Sequence, residues 1–222
     1  MTEPLHTRLI QQSIAGLVHR VRETDAPGPR RTVVMVHGRS GDENVMWVFA
    51  RALPAPWLMV APRAITPDPD GGYAWHPRKP NEWPAIGMFD NAVESIAQFI
   101  RALPALYHAD LNHIYLMGFS QGAAASYATA LKYPGLAQGI AGLVGFAPLG
   151  VDTGMHPLAG LPIFMAVGRS DPTIPLEIAQ RCAQTLRAAG AALDERIYDT
   201  GHKLNAEGMR DLKQWWTERD IT

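Results

Sequence analysis

Short apolar runs at 32–36, 57–61, 113–117, 140–146 and 161–167, followed by a mixed strand-like stretch at 193–198, alternate with stretches of helical periodicity. No other feature restricts the fold as much. A run that is apolar at every position has no polar face to show to water, so it must be covered on both sides. The architecture that does this is a mainly parallel sheet with helix crossovers. Helices are expected at 45–53, stopped by Pro54 and Pro56, and at 88–107, where Pro104 should kink or break the helix. Further helices are expected at 121–132, built from small residues, at 176–189, and at 206–218, which should bury Trp215 or Trp216. Residues 6–23 read as one or two antiparallel edge strands, closed by a turn-rich stretch at 24–31. The expected fold class is therefore α/β, with a mostly parallel central sheet flanked by helices on both faces.

The length, 222 residues, allows one large domain or two small ones. A chain of this size with 47% hydrophobic residues buries roughly 70% of its unfolded surface, so it needs no metal or disulfide staple. Lys plus Arg (20) and Asp plus Glu (21) leave a formal charge of −1, without the basic excess that a nucleic-acid partner demands. The single cysteine, Cys182, excludes a disulfide framework and multi-cysteine metal sites, and within its helical stretch it reads as a small buried hydrophobe. No apolar run approaches the ~18 residues of a transmembrane segment, and residues 1–10 lack a signal-peptide core, so the cytoplasm is the expected location.

One segment interrupts the alternation. Residues 62–87 show no period, yet they hold six prolines together with Tyr73, Trp75 and Trp83. Aperiodic loops of this length are uncommon in compact domains and usually serve function, and the aromatics argue against disorder.

Gly118-Phe119-Ser120-Gln121-Gly122 follows the apolar run at 113–117 and opens the small-residue helix. A serine hydroxyl is a weak nucleophile, and it needs exposure, a neighbouring base and donors for the developing oxyanion. A sharp strand-to-helix turn meets all three needs, and glycines on either side let the backbone pass its neighbours. In this architecture an acid and then a histidine are expected downstream, each in the loop after a later strand. Asp171 opens the loop after the strand at 161–167, ahead of Asp152, Asp194 and Asp199, and His202 follows the strand at 193–198, ahead of His156. The N–H of Gln121 begins the helix beside the serine and is one expected oxyanion donor; the N–H of Arg39, in the turn after the first central strand, is the other. His37 is expected to support that turn by hydrogen bonding.

With these residues in view, the sequence resembles the alpha/beta-hydrolase superfamily, within it the phospholipase/carboxylesterase group that includes acyl-protein thioesterases and small bacterial carboxylesterases. The resemblance rests on His37-Gly38-Arg39-Ser40-Gly41-Asp42-Glu43, Ala61-Pro62-Arg63-Ala64, the Gly118 to Gly122 pentapeptide, Gly168-Arg169-Ser170-Asp171-Pro172-Thr173-Ile174-Pro175, and Gly201-His202. It spans 31–219, which leaves one domain over 1–222 and no room for a separate cap. The resemblance implies Ser120, Asp171 and His202 as a catalytic triad and Arg39 and Gln121 as oxyanion donors. Two stretches depart from the thioesterase pattern: Gly-Arg-Ser-Gly stands where those enzymes carry Gly-Leu-Gly-Asp, and the 62–87 loop has a different composition.

The expected activity is hydrolysis of carboxylic esters, with thioesters or lysophospholipid-type acyl esters included, through an acyl-enzyme on Ser120. A perhydrolase or peptidase on the same triad, and a binding protein of the same fold without chemistry, are the competing readings. Tyr73 and Trp75 in the loop, with Met46 and Trp47 after the oxyanion turn, are expected to wall the substrate pocket. Arg63, Arg78 and Lys79 read as solvated loop charges. The chemistry calls for no cofactor and no metal, the partner is a small-molecule ester, and a homodimer is left open.

Overall fold

The computed structural model of the chain describes residues 7–11, 16–25, 27–77 and 82–220. In chain order the strands are β1 (Arg8–Ile10), β2 (His19–Arg22), β3 (Arg30–Val36), β4 (Leu58–Pro62), β5 (Thr66–Pro67), β6 (Tyr73–Ala74), β7 (Ala109–Phe119), β8 (Gly139–Leu143), β9 (Pro162–Gly168) and β10 (Ala192–Tyr198). The α-helices are α1 (Asp90–Tyr107), α2 (Gln121–Lys132), α3 (Leu176–Ala188) and α4 (Ala206–Asp220). Among the described residues, eight strands form one sheet in the order β1-β2-β4-β3-β7-β8-β9-β10, and β5 and β6 make a separate two-stranded ribbon. From β4 to β10 neighbouring strands of the sheet run parallel, while β1 and β2 add an antiparallel edge. The expected edge strands are thus β1 and β2, although residues 6 and 12–15 lie outside the described residues.

Period-two alternation along each buried strand divides the core in two. Val34 and Val36 of β3, Ile114 and Leu116 of β7, and Ile163 and Met165 of β9 join an apolar cluster with α1, α2 and α3. Val33 and Met35, Tyr115 and Met117, and Phe164 and Ala166 join a second cluster with α4 and the short helix at Val45–Ala52. Both tryptophans of α4, Trp215 and Trp216, are buried in it. The fully apolar runs are therefore central strands covered on both faces. No described helix is long and apolar enough to cross a membrane.

Three elements differ from the sequence pattern. The segment Val45–Ala52 is a 3-10 helix, ended at Leu53 because the residue before Pro54 takes an extended conformation. Helix α1 continues through Pro104 to Tyr107, its last turn held by buried Leu103 and Tyr107 and closed by His108 in the left-handed region. β8 stops at Leu143, three residues short of the apolar run: Val144 has φ +42 and donates its N–H to Ala166, turning the chain out of the sheet and freeing Phe146 for the surface above it.

Candidate active site

Ser120 sits between β7 and α2 with φ +52 and ψ −117, a strained conformation for a residue with a Cβ, and its N–H is tied to the carbonyl of Leu143 at 2.9 Å. The turn is this sharp because the backbones on either side of it nearly touch. A Cβ on Gly118 would lie 2.3 Å from the carbonyl oxygen of Gly122, and one on Gly122 would lie 2.0 Å from that of Val36. The outcome is a hydroxyl raised at the carboxyl edge of the sheet, beside the N-terminus of α2, where the N–H groups of Gln121 and Gly122 precede the first that can bond back to the Ser120 carbonyl, that of Ala123 at 3.0 Å.

The loops after β9 and β10 carry the other two residues, and they are laced together. Arg169 N–H donates to Tyr198, Ser170 N–H donates to Thr200 at 3.1 Å, and Gly168 lies so close to Gly201 that a Cβ there would meet its carbonyl oxygen at 2.3 Å. Asp171, 5% exposed, accepts the N–H groups of Thr173 (2.8 Å) and Ile174 (3.0 Å) on Oδ1, which leaves Oδ2 for His202 Nδ1 at 2.7 Å. His202 Nε2 lies 3.0 Å from Ser120 Oγ, and its ring rests edge-on against Phe119. Because a carboxylate only accepts, Nδ1 carries the proton and Nε2 faces the hydroxyl with its lone pair. The rival residues are elsewhere: Asp194 pairs with Arg196, Asp152 accepts the N–H of Gly154, Asp199 is exposed, and His156 is bound to the carbonyl of Ala188.

The turn after β3, where an oxyanion donor is expected, runs alongside the serine. A Cβ built on Gly38 would lie 3.4 Å from that of Ser120, so the turn that carries Arg39 passes directly beside the residue that Gln121 follows. His37 braces the turn from inside. Its Nδ1–H donates to Gly38 at 2.6 Å and its Nε2 accepts the N–H of Ala64 at 2.9 Å, an arrangement open only to the neutral imidazole, and burial lowers its pKa. Glu43 is pinned by Arg63 through two hydrogen bonds of 2.6 and 2.7 Å, and these hold its carboxyl below the usual range.

Two clefts meet at Ser120. The first, about 510 Å³, is walled by Val45, Met46, Val48, Phe49 and Phe119 and includes His202. The second, about 350 Å³, is walled by His76, Trp83, Pro84, Phe146 and Ile174. Of the expected walls, Met46 takes that place. Trp75 does not: it is 1% exposed, with its indole N–H on the carbonyl of His37 at 2.8 Å. A buried indole usually finds an acceptor, and the one Trp75 uses lies at the end of β3, where the turn toward Ser120 begins, so Trp75 is a strut under the site. Tyr73 lies under the Arg63 guanidinium, 4.7 Å from its ring centre, and its hydroxyl accepts from Arg63 at 3.2 Å. Trp47 turns toward the core and donates to the carbonyl of Glu43 at 2.9 Å. Arg63 is therefore no solvated loop charge, and Arg78 and Lys79 lie outside the described residues. The sequence showed Val48 and Phe49 only as part of the expected helix at 45–53, Phe119 only as part of the Gly118 to Gly122 pentapeptide, and Phe146 only as part of a strand.

Among the described residues, no three His, Cys, Asp or Glu side chains are grouped as a metal site requires.

A family model described as phospholipase/carboxylesterase matches residues 19–218. The chain belongs to that family. A probable carboxylesterase SOBER1-like of Arabidopsis thaliana is 29% identical over 112 residues, 49% of this chain and 43% of the relative. The putative hydrolase MhqD of Bacillus subtilis is 23% identical over 138 residues, 60% of this chain and 68% of that protein. The match thus spans under half of the plant relative's length. Among solved structures, a carboxylesterase from Mesorhizobium loti superposes with a TM-score of 0.81 at 21% identity, covering 95% of this chain and 98% of the other. A Bacillus cereus carboxylesterase gives 0.76 at 20% identity, covering 92% and 95%. The phospholipase/carboxylesterase chain thus has the α/β-hydrolase fold.

Proposed function

We propose that this phospholipase/carboxylesterase family member is a serine hydrolase that cleaves carboxylic esters through an acyl-enzyme on Ser120. The observation that carries the reading is the continuous hydrogen-bonded line from Asp171 through His202 to Ser120, with contacts of 2.7 and 3.0 Å. The relatives named as carboxylesterases support it.

Ser120 Oγ attacks the ester carbonyl as His202 Nε2 takes its proton, and Asp171 steadies the imidazolium. The N–H groups of Arg39 and Gln121 receive the oxyanion of the tetrahedral intermediate. His202 then gives the proton to the departing alkoxide, and water activated by the same imidazole releases the acid. The leaving oxygen must lie next to His202, which lines the first cleft. The alcohol part therefore occupies the cleft of Val45, Met46, Val48 and Phe49, and the acyl part occupies the cleft of Trp83 and Phe146.

The test is hydrolysis of p-nitrophenyl esters together with labelling by a fluorophosphonate. Both are expected in the wild-type chain, and Ser120→Ala should abolish labelling and lower turnover by roughly four orders of magnitude or more. A wild-type chain that neither turns over nor labels is a binding protein on this fold, and a Ser120→Ala variant that keeps its activity rules out the acyl-enzyme.

A further inference from the structure

The two stretches that depart from the thioesterase pattern meet in space, the Gly-Arg-Ser-Gly turn against residues 68–73 of the 62–87 loop. The Arg39 guanidinium donates from Nε to Asp68 Oδ2 at 2.6 Å and from Nη2 to Asp68 Oδ1 at 3.1 Å, and Nη2 also reaches Asp70. The Asp68 side chain is 2% exposed. It is fixed from its own side, since Oδ1 accepts the N–H of Asp70 at 2.9 Å and its backbone closes the β5–β6 turn with N–H to Gly72 (3.0 Å) and carbonyl to Gly71 (2.9 Å). The ribbon then presses on the oxyanion turn itself. Tyr73 N–H donates to the carbonyl of Gly41 at 2.9 Å, and a Cβ on Gly72 would lie 2.3 Å from the carbonyl oxygen of Ser40. Ser40 has φ +59, a conformation that a residue with a Cβ holds only when its surroundings impose it.

We propose that Asp68 is a positioning residue of the oxyanion hole, acting through the Arg39 side chain to hold the Arg39 N–H at the angle the tetrahedral intermediate needs. The proposal rests on the reading of Ser120 as nucleophile and of the Arg39 N–H as donor. A backbone N–H in a four-residue turn is aimed by the turn's φ and ψ alone. A two-point guanidinium–carboxylate bond fixes the one side chain in that turn that leads directly to the donor. The same pair neutralises the Arg39 charge, so Arg39 contributes through its backbone and not as an anion receptor. Such an arrangement stabilises the transition state and leaves ground-state binding alone, so its loss should appear in kcat.

The experiment compares Asp68→Asn, Arg39→Ala and the double variant in the full chain, with p-nitrophenyl butyrate and with the rate of fluorophosphonate labelling. Arg39→Ala keeps the backbone N–H and removes only what aims it. Each single variant is expected to lower kcat by about tenfold to a hundredfold with KM within about twofold, as misplacement of one catalytic donor does. The double variant should be no slower than Arg39→Ala alone. If Asp68→Asn does not fold by thermal melting, Arg39→Lys, which keeps the charge without the fork, should show the same selective loss of kcat. A kcat unchanged or raised in Asp68→Asn, or two single effects that multiply in the double variant, overturns the positioning role while leaving the hydrolase reading intact. A wild-type chain without Ser120-dependent hydrolysis or labelling overturns the hydrolase reading, and this role with it.

Discussion

The side-chain carbonyl of Gln121 accepts the backbone N–H of Trp75 at 2.8 Å, and its amide nitrogen donates to the carbonyl of His76 at 3.3 Å. The residue after Ser120 thus serves two structures at once. Its own N–H opens α2 beside the nucleophile, while its buried side chain pairs two backbone groups of an irregular segment that would otherwise lack partners. Together with the Trp75 indole on His37, this ties residues 75 and 76 of the loop both to the end of β3 and to the start of α2. The loop's first task is to hold the floor of the site.

Replacing Gln121 by Ala should therefore destabilise the protein before it affects chemistry. The substitution leaves the Trp75 N–H buried without an acceptor, a loss of about 1–3 kcal/mol. Urea unfolding would register it as a lower midpoint at constant slope. An unchanged midpoint would mean that water replaces the side chain and that the loop does not depend on it.

Gly122→Ala tests the closeness of β3 to α2. The added Cβ would sit 2.0 Å from a backbone carbonyl, that of Val36, which cannot rotate away as a side chain can. Overpacking of this kind is expected to cost roughly 3 kcal/mol and to shift Ser120 relative to the oxyanion turn. A variant with wild-type melting temperature and turnover would contradict the packing described here.

The central strands, the helices on both faces and the loops bearing Asp171 and His202 were readable because each depends on local pattern: an apolar run, a period, a Gly-flanked turn. The substrate walls were not. Trp75 and Tyr73 were attractive as walls since they lie in an aperiodic loop, but whether an aromatic ring faces a cleft or the core depends on which distant acceptor its polar atom finds. For Trp75 that acceptor is the His37 carbonyl, and for the Tyr73 ring the covering group is Arg63, itself fixed by Glu43. Neither contact leaves a periodic trace in the sequence. Phe146 shows the same limit from the other side: nothing in an apolar run announces that Val144 will turn out of the sheet.

Acid should weaken the fold through histidines that the native structure holds neutral. His19 donates from Nδ1 to the carbonyl of Leu17 at 2.7 Å and accepts the Tyr107 hydroxyl on Nε2 at 2.6 Å, and His37 is committed in the same way. Burial lowers both pKa values below the ordinary 6.5. The unfolded chain then binds more protons than the native one once pH falls below about 6.5, so stability is full above that value and is lost as pH drops through it toward the folded pKa values. The slope has a ceiling of about 1.4 kcal/mol per pH unit for each histidine. Urea midpoints taken between about pH 7.5 and pH 5.5 should fall, and fall less in His19→Gln. Equal losses in the two proteins would remove His19 as a source.

The assignment of the alcohol to one cleft and the acyl group to the other predicts that two substitutions separate two preferences. Trp83 packs edge-on against Phe146, ring centres 5.3 Å apart, and closes the acyl side, so Trp83→Ala should move the optimum of an ester panel to longer acyl chains with the alcohol held constant. Val48 is exposed on the rim of the other cleft, and Val48→Asp places a charge where an apolar alcohol would lie. It should raise KM for long-chain alcohol esters by about tenfold, the worth of one or two methylenes lost from an apolar wall, while the acyl-length optimum stays in place. If Trp83→Ala instead changes the response to the alcohol, and Val48→Asp the response to the acyl chain, the two clefts exchange roles and the leaving oxygen must approach His202 from the opposite side of Ser120.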